Sequence, residues 1–146
     1  MAEAARLTSP DLIIHLGDYT WDIQELSERV PEIEYRAVTG NGDYDPGLKS
    51  ELLLNFFGVN ILATHGHKYG VKNGLQRLTE RAAELKADLI LFGHTHQSMS
   101  LKAGKIWLLN PGQMVKHDKR IPASYGIVTI SEEGFSCEIR ELATEN

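Results

Sequence analysis

The chain has 146 residues, 42% of them hydrophobic and 24% charged, with a formal net charge of −5 at pH 7. That length suits one domain with a real core, and the acidic balance argues against nucleic-acid backbone or an anionic membrane as the default partner. No apolar run approaches the ~18 residues of a membrane span, no signal peptide is visible, and the single cysteine, Cys137, excludes an internal disulfide, so a reducing cytoplasm is the expected setting.

In chain order, D-L-I-I-H-L-G (11–17) reads as a near-continuous apolar strand. Residues 22–29 predict a short polar helix that ends before Pro31, and a second strand runs from Ile33 to Thr39. G-D-Y-D-P-G-L (42–48) is a loop by composition. Glu51–Phe57 and Val59–Thr64 flank Gly58 and predict a hairpin. Apolar residues at 75, 78, 82 and 85 predict an amphipathic helix over Asn73–Lys86, with another buried strand at Asp88–Phe92. Beyond Gly93 the pattern turns to strands: Ser98–Lys102, Lys105–Leu109, Ser124–Ile130 and Phe135–Leu142, with turns at Ala103-Gly104 and Glu132–Gly134. Mixed helix and strand, then mostly antiparallel strands, implies a layered α/β architecture.

The chemistry lies in the polar residues that terminate these apolar runs. Asp18 comes directly after L-I-I-H-L-G, Asn41 after Y-R-A-V-T-G, His65 after N-I-L-A-T, and His94 and His96 after L-I-L-F-G. The carboxyl ends of strands in open α/β sheets are where sites form. A carboxylate, an amide oxygen and imidazoles make a mixed oxygen and nitrogen set suited to manganese, iron, zinc or cobalt. In extended chain, residues i and i+2 project to the same side, so His94 and His96 are expected to face one site. A lone Gly-Asp or His-x-His carries little; the ordered set carries much.

G-D (17–18), G-N-x-D (40–43), T-H-G-H (64–67), G-H-T-H (93–96) and N-P-G (110–112) together resemble the calcineurin-like metallophosphoesterases, nearest their small phosphodiesterase branch related to the retromer small subunit. The resemblance spans nearly the whole chain. It implies a single domain, residues 1–146, with a four-layer α/β/β/α sandwich binding two divalent ions: manganese first, with zinc, nickel, iron(II) or magnesium as alternatives. By that likeness Asp18 is the bridging carboxylate, Asn41, His65 and His94 complete one ion's shell, and His96 serves the other. The implied reaction is hydrolysis of a small phosphoester, more specifically a phosphodiester, by metal-activated hydroxide. The alternative is a weakly active or inactive member serving as a protein-interaction scaffold.

Two departures qualify the likeness. The family opens on a strand ending in Asp-x-His, whereas M-A-E-A-A-R-L-T-S-P-D looks like the last turn of its first helix. The first strand and most of the first helix are therefore expected to be missing, leaving His96's ion with only Asp18 and His96 from this chain, a slot that favours homo-oligomers, and weak activity. Second, larger relatives carry a proton-donating histidine where this chain has Gly42, and the small branch also lacks that histidine; His67 is the substitute candidate, as proton donor or phosphate contact.

Other residues get plainer readings. His15 is expected to be a hydrogen-bonded interior histidine and Asp43 to orient the asparagine loop. The charged loop 116–120 reads as surface, with Lys116 and Arg120 as candidate phosphate contacts because it comes after N-P-G. Lys68, Tyr69 and Lys72 are candidates for the site mouth. Phe56, Phe57, Trp107 and Cys137 are expected in strands, as core or subunit-contact positions.

Overall fold

The computed structural model describes residues 1–114 and 120–142. Helix α1 (Ala2–Thr8) covers two turns and stops where Ser9 turns left-handed ahead of Pro10. Strand β1 (Leu12–His15) comes next, then α2 (Asp22–Arg29), which has Asp22 and Glu25 in its first turn, Arg29 in its last, and Val30 as its cap before Pro31. β2 (Glu34–Ala37) pairs parallel with β1, Leu12 opposite Glu34. β3 (Glu51–Phe56) and β4 (Val59–Thr64) form the expected hairpin. Its two turn residues, Phe57 at φ 50° and Gly58 at φ 82°, have the positive angles that match the twist of a two-residue hairpin. Phe57 therefore lies in the turn and is exposed, not in a strand as the sequence suggested.

Helix α3 (Gln76–Glu84) occupies the middle of the predicted 73–86 span. β5 (Leu89–Phe92), β6 (Met99–Ala103), β7 (Ile106–Asn110), β8 (Ser124–Ser131) and β9 (Gly134–Glu141) complete the chain. Five strands make the central sheet in the order β3-β4-β5-β7-β6; β1-β2 and β8-β9 are separate two-stranded sheets.

The period-two alternation of the central strands divides the core. On one face Leu62, Ile90, Phe92 and Leu108 pack with Leu78 and Ala82 of α3. On the other, Ile61, Ala63, Leu89, Leu91 and Leu109 meet Ile14 and Leu16 beside β1 and Val128, Ile130, Cys137 and Ile139 from β8-β9. Outside β1-β2, Ala2 and Ala5 of α1 pack with Leu26 and Val30 of α2. The layers run α3, central sheet, the two separate small sheets, then α1 and α2, giving the expected α/β/β/α sandwich. β4 and β5 run parallel, Thr64 opposite Phe92, so their carboxyl ends deliver His65 and His94 to the same rim.

Candidate metal centre

The rim is held by backbone geometry before any ligand chemistry enters. Four polar residues there adopt left-handed angles, Asp18 (φ 60°), Tyr19 (59°), His94 (68°) and His96 (59°), each a cost of about 1–3 kcal/mol that the surroundings must offset. The Asp43 carboxylate does much of that. It accepts hydrogen bonds from the backbone N–H groups of Gly40 (2.7 Å), Asp18 (2.8 Å) and Thr20 (2.9 Å). Burial works against its charge, but these donors outweigh burial and hold the carboxyl below its usual range. Close approach between turns also demands glycine: a Cβ on Gly40 would lie 2.2 Å from Asp18 Oδ1, and one on Gly17 2.6 Å from the Gly40 nitrogen.

On this frame the side chains converge. His65 is 2% exposed; its Nε2 lies 3.1 Å from Asn41 Oδ1, 3.1 Å from His94 Nδ1 and 3.3 Å from Asp18 Oδ2. Its Nδ1 sits 2.7 Å from the Leu16 carbonyl oxygen, which only accepts, so that nitrogen carries the hydrogen and Nε2 of the neutral ring is a lone pair. An amide oxygen, a carboxylate oxygen and two imidazoles thus aim electron pairs at one locus. A proton on Nε2 would satisfy one of these neighbours; a cation between them would satisfy all. Among the described residues Asp18, His65 and His94 form the group whose ligand atoms lie within 4.8 Å of one another, and Asn41 adds its oxygen. The residues fit a divalent ion of the mixed oxygen and nitrogen class. Burial, with Lys72 and His65 adding to it, pushes His94 down to about 4, so its ring is neutral at pH 7 as a ligand must be.

His96 lies on the same turn, half-buried, outside this group of three. The extended-chain expectation for 94 and 96 does not apply, because both residues are left-handed and the Thr95 N–H bonds back to the Gly93 carbonyl at 2.8 Å. The His67 ring centroid is 5.2 Å from that of His65 and 6.1 Å from that of His94, and its Nδ1 is buried with no hydrogen-bond partner among the described residues. Burial, with His65 and Lys68 adding to it, lowers its pKa. Tyr69, a candidate for the mouth, instead donates its hydroxyl to Glu51, which also takes Arg81 Nη2 at 3.1 Å. That trio ties the single 3₁₀ turn His67–Tyr69 to β3 and α3. His15 accepts from the Gly17 N–H through Nδ1 at 3.2 Å, so it is hydrogen-bonded as expected, but it is half-buried rather than interior. Arg120 is exposed, and Lys116 lies outside the described residues.

Asn110 has a role that sequence reasoning missed. Fully buried at the end of β7, its Nδ2 donates to the Gly93 carbonyl (3.1 Å) and Thr95 Oγ1 (3.0 Å), while its Oδ1 accepts from the Gly112 N–H (3.0 Å). It therefore clamps the His94 turn from behind. N-P-G was the available signal, but only the pairing of β5 with β7 shows which turn it serves.

The arrangement has relatives. The family model for the calcineurin-like phosphoesterase superfamily domain matches residues 1–133. "Probable metallophosphoesterase YsnB" of Bacillus subtilis (strain 168) is 42% identical over 135 residues, covering 91% of this chain and 76% of its own length. Phosphodiesterase YfcE of Escherichia coli (strain K12) is 27% identical over 115 residues, covering 71% of this chain and 58% of its own. A predicted phosphoesterase of known crystal structure from Streptococcus pneumoniae TIGR4 superposes with a TM-score of 0.79 at 27% identity, over 96% of this chain and 80% of that one. With the family model spanning all of the residues that build the rim, the chain belongs to the calcineurin-like phosphoesterase superfamily.

Proposed function

We propose that this chain is a divalent-metal-dependent phosphoesterase acting on a small phosphodiester. The observation that carries the reading is the meeting of electron-pair donors around His65 Nε2, with Asn41, His94 and Asp18 all within 3.3 Å. The names of YsnB and YfcE point to the same chemistry. A divalent ion bound there supplies Lewis acidity toward a phosphoryl oxygen and makes hydroxide available near neutral pH.

The chain's own residues do the rest. Asp18, Asn41, His65 and His94 are the proposed ligands, with manganese the first candidate ion; a second ion, served by Asp18 and His96, is part of the same proposal. Leu16 fixes the tautomer of His65 through its carbonyl. The lowered pKa of His67 favours a neutral ring at pH 7, which suits a hydrogen bond to a phosphoryl oxygen better than a strongly acidic proton donor. Arg120 and Lys116 remain proposed contacts to substrate phosphate. Nothing in the chemistry calls for a side-chain nucleophile: burial pushes the Cys137 thiol up to about 11, far from a reactive thiolate.

The test is Mn²⁺-dependent hydrolysis of bis(p-nitrophenyl) phosphate, with and without chelator. Chelator-sensitive turnover that disappears in His94→Ala together with metal binding is the expected result. Turnover that survives both chelator and His94→Ala would overturn the assignment. Absence of turnover in a folded, metal-loaded chain would favour the scaffold alternative.

A further inference from the structure

Resting on the phosphoester reading, we infer that the site's mouth carries an aromatic subsite, built from Tyr19, Trp21 and Tyr44, that takes a flat aromatic group such as a nucleobase attached to the substrate phosphate. Among the described residues eight large apolar side chains are exposed, and these three are aromatic residues on the two loops that carry Asp18 and Asn41. Their exposures are 42%, 62% and 104%. Burial is the usual fate of Trp, so an exposed pair beside a polar cluster is the informative departure.

The loops are fixed relative to each other and to the proposed ligands. Asp43 receives the N–H groups on either side of Tyr19, those of Asp18 and Thr20, and Tyr44 is the residue directly after Asp43. The Gly42 N–H donates to Asp18 Oδ1 at 3.0 Å, drawing the asparagine loop onto the aspartate. Consecutive Cα atoms are about 3.8 Å apart, so Tyr19 and Tyr44 each stand one residue from an atom in this network. The Tyr19 and Trp21 rings meet edge to face, with centroids 4.9 Å apart and planes at 74°, a contact that steadies the indole without covering it.

Chemistry and charge select the occupant. Tyr19 and Trp21 come one and three residues after Asp18, and Tyr44 three after Asn41, so these aromatic side chains lie on the same segments as the residues that would hold a phosphate at the His65 locus. Stacking on such faces accepts any base, so the subsite selects a class rather than one base. Asp22, Asp43 and Asp45 lie on the same segments, which disfavours a polyanionic strand and favours a small ester.

The experiment measures the affinities of adenosine 5′-monophosphate and ribose 5-phosphate for the Mn²⁺-loaded full chain by calorimetry, in the native protein, Trp21→Ala, Trp21→Phe and Tyr44→Ala. The nucleotide should bind about five- to hundredfold more tightly than the sugar phosphate, the range expected for one stacked base. Trp21→Ala should erase most of that ratio with ribose 5-phosphate affinity unchanged, Trp21→Phe should retain it, and Tyr44→Ala should reduce it. Equal affinities for the two ligands, or a Trp21→Ala loss shared equally by both, would overturn the subsite while leaving the phosphoester reading intact. Failure of the Mn²⁺-loaded chain to bind either phosphate would overturn both.

Discussion

His94 and Asp43 carry opposite kinds of information at the residue scale. His94 is a ring held neutral by its surroundings, titrating at about 4 when folded and near 6.5 when unfolded. Between those values the unfolded chain binds a proton that the folded chain refuses, so stability is complete above about pH 6.5 and falls as the pH drops toward 4. His67 is lowered in the same direction. Urea titrations of the metal-free protein at pH 7.5 and pH 5 should therefore show a lower midpoint at the acidic pH, and His94→Gln should flatten the difference. An unchanged difference in that variant would remove His94 from the explanation. Asp43 works in the other sense, since its donors favour the charged carboxylate. Asp43→Ala strips three backbone N–H groups of their acceptor and frees two loops from each other. A loss of about 2 kcal/mol in unfolding free energy is expected, together with weakened Mn²⁺ binding, checked by denaturation and calorimetry on the same sample.

Elements show what could be read in advance. The hydrophobic runs at 59–64 and 89–92 announced buried strands, and the glycine in each G-D, G-N or G-H strand end announced sharp turns, because both are local signals. The helix α3 was legible from Leu78 and Ala82, which face the sheet, while its ends were not: Leu75 and Leu85 pack on the same core from just outside the helical span. Residues whose role depends on pairing between distant segments were harder. Asn110 reads as part of a short motif; only β7 lying beside β5 aims it at the Gly93 turn. Asn110→Ala should therefore act at a distance. It strips the buried Gly93 carbonyl of its side-chain donor and leaves the half-buried Thr95 hydroxyl with only the Gln97 N–H as donor among the described residues, for about 2 kcal/mol, and metal affinity should drop although no proposed ligand has been touched. Equal stability loss with unchanged Mn²⁺ affinity would confine Asn110 to holding the fold.

For the whole molecule, the sandwich distributes its cohesion unevenly. β4 and β5 are flanked on both edges by strands and covered on both faces, with Leu62, Leu89 and Ile90 fully buried. Among the described residues β1 pairs only with β2, and β8 only with β9; all four residues of β1 are half-buried. Isolated two-stranded pairs are marginal in water, so these sheets draw their stability from the packing of Ile14, Val128 and Ile139 on the central sheet. Local opening should respect that division. Amide exchange in β4 and β5 is expected at the rate of global unfolding, whereas the amides of Ile13 and Ile14 should exchange through smaller openings, insensitive to low denaturant. A bound Mn²⁺ would link the two regions under the proposed ligand set, because Asp18 comes after β1 while His65 and His94 come after β4 and β5. An ion held by all three should slow exchange in β1 more than in β5, by raising the cost of separating the small sheet from the central one. Slowing confined to β4 and β5 would mean that Asp18 is not a ligand and that the ion bridges only the histidines of the central sheet.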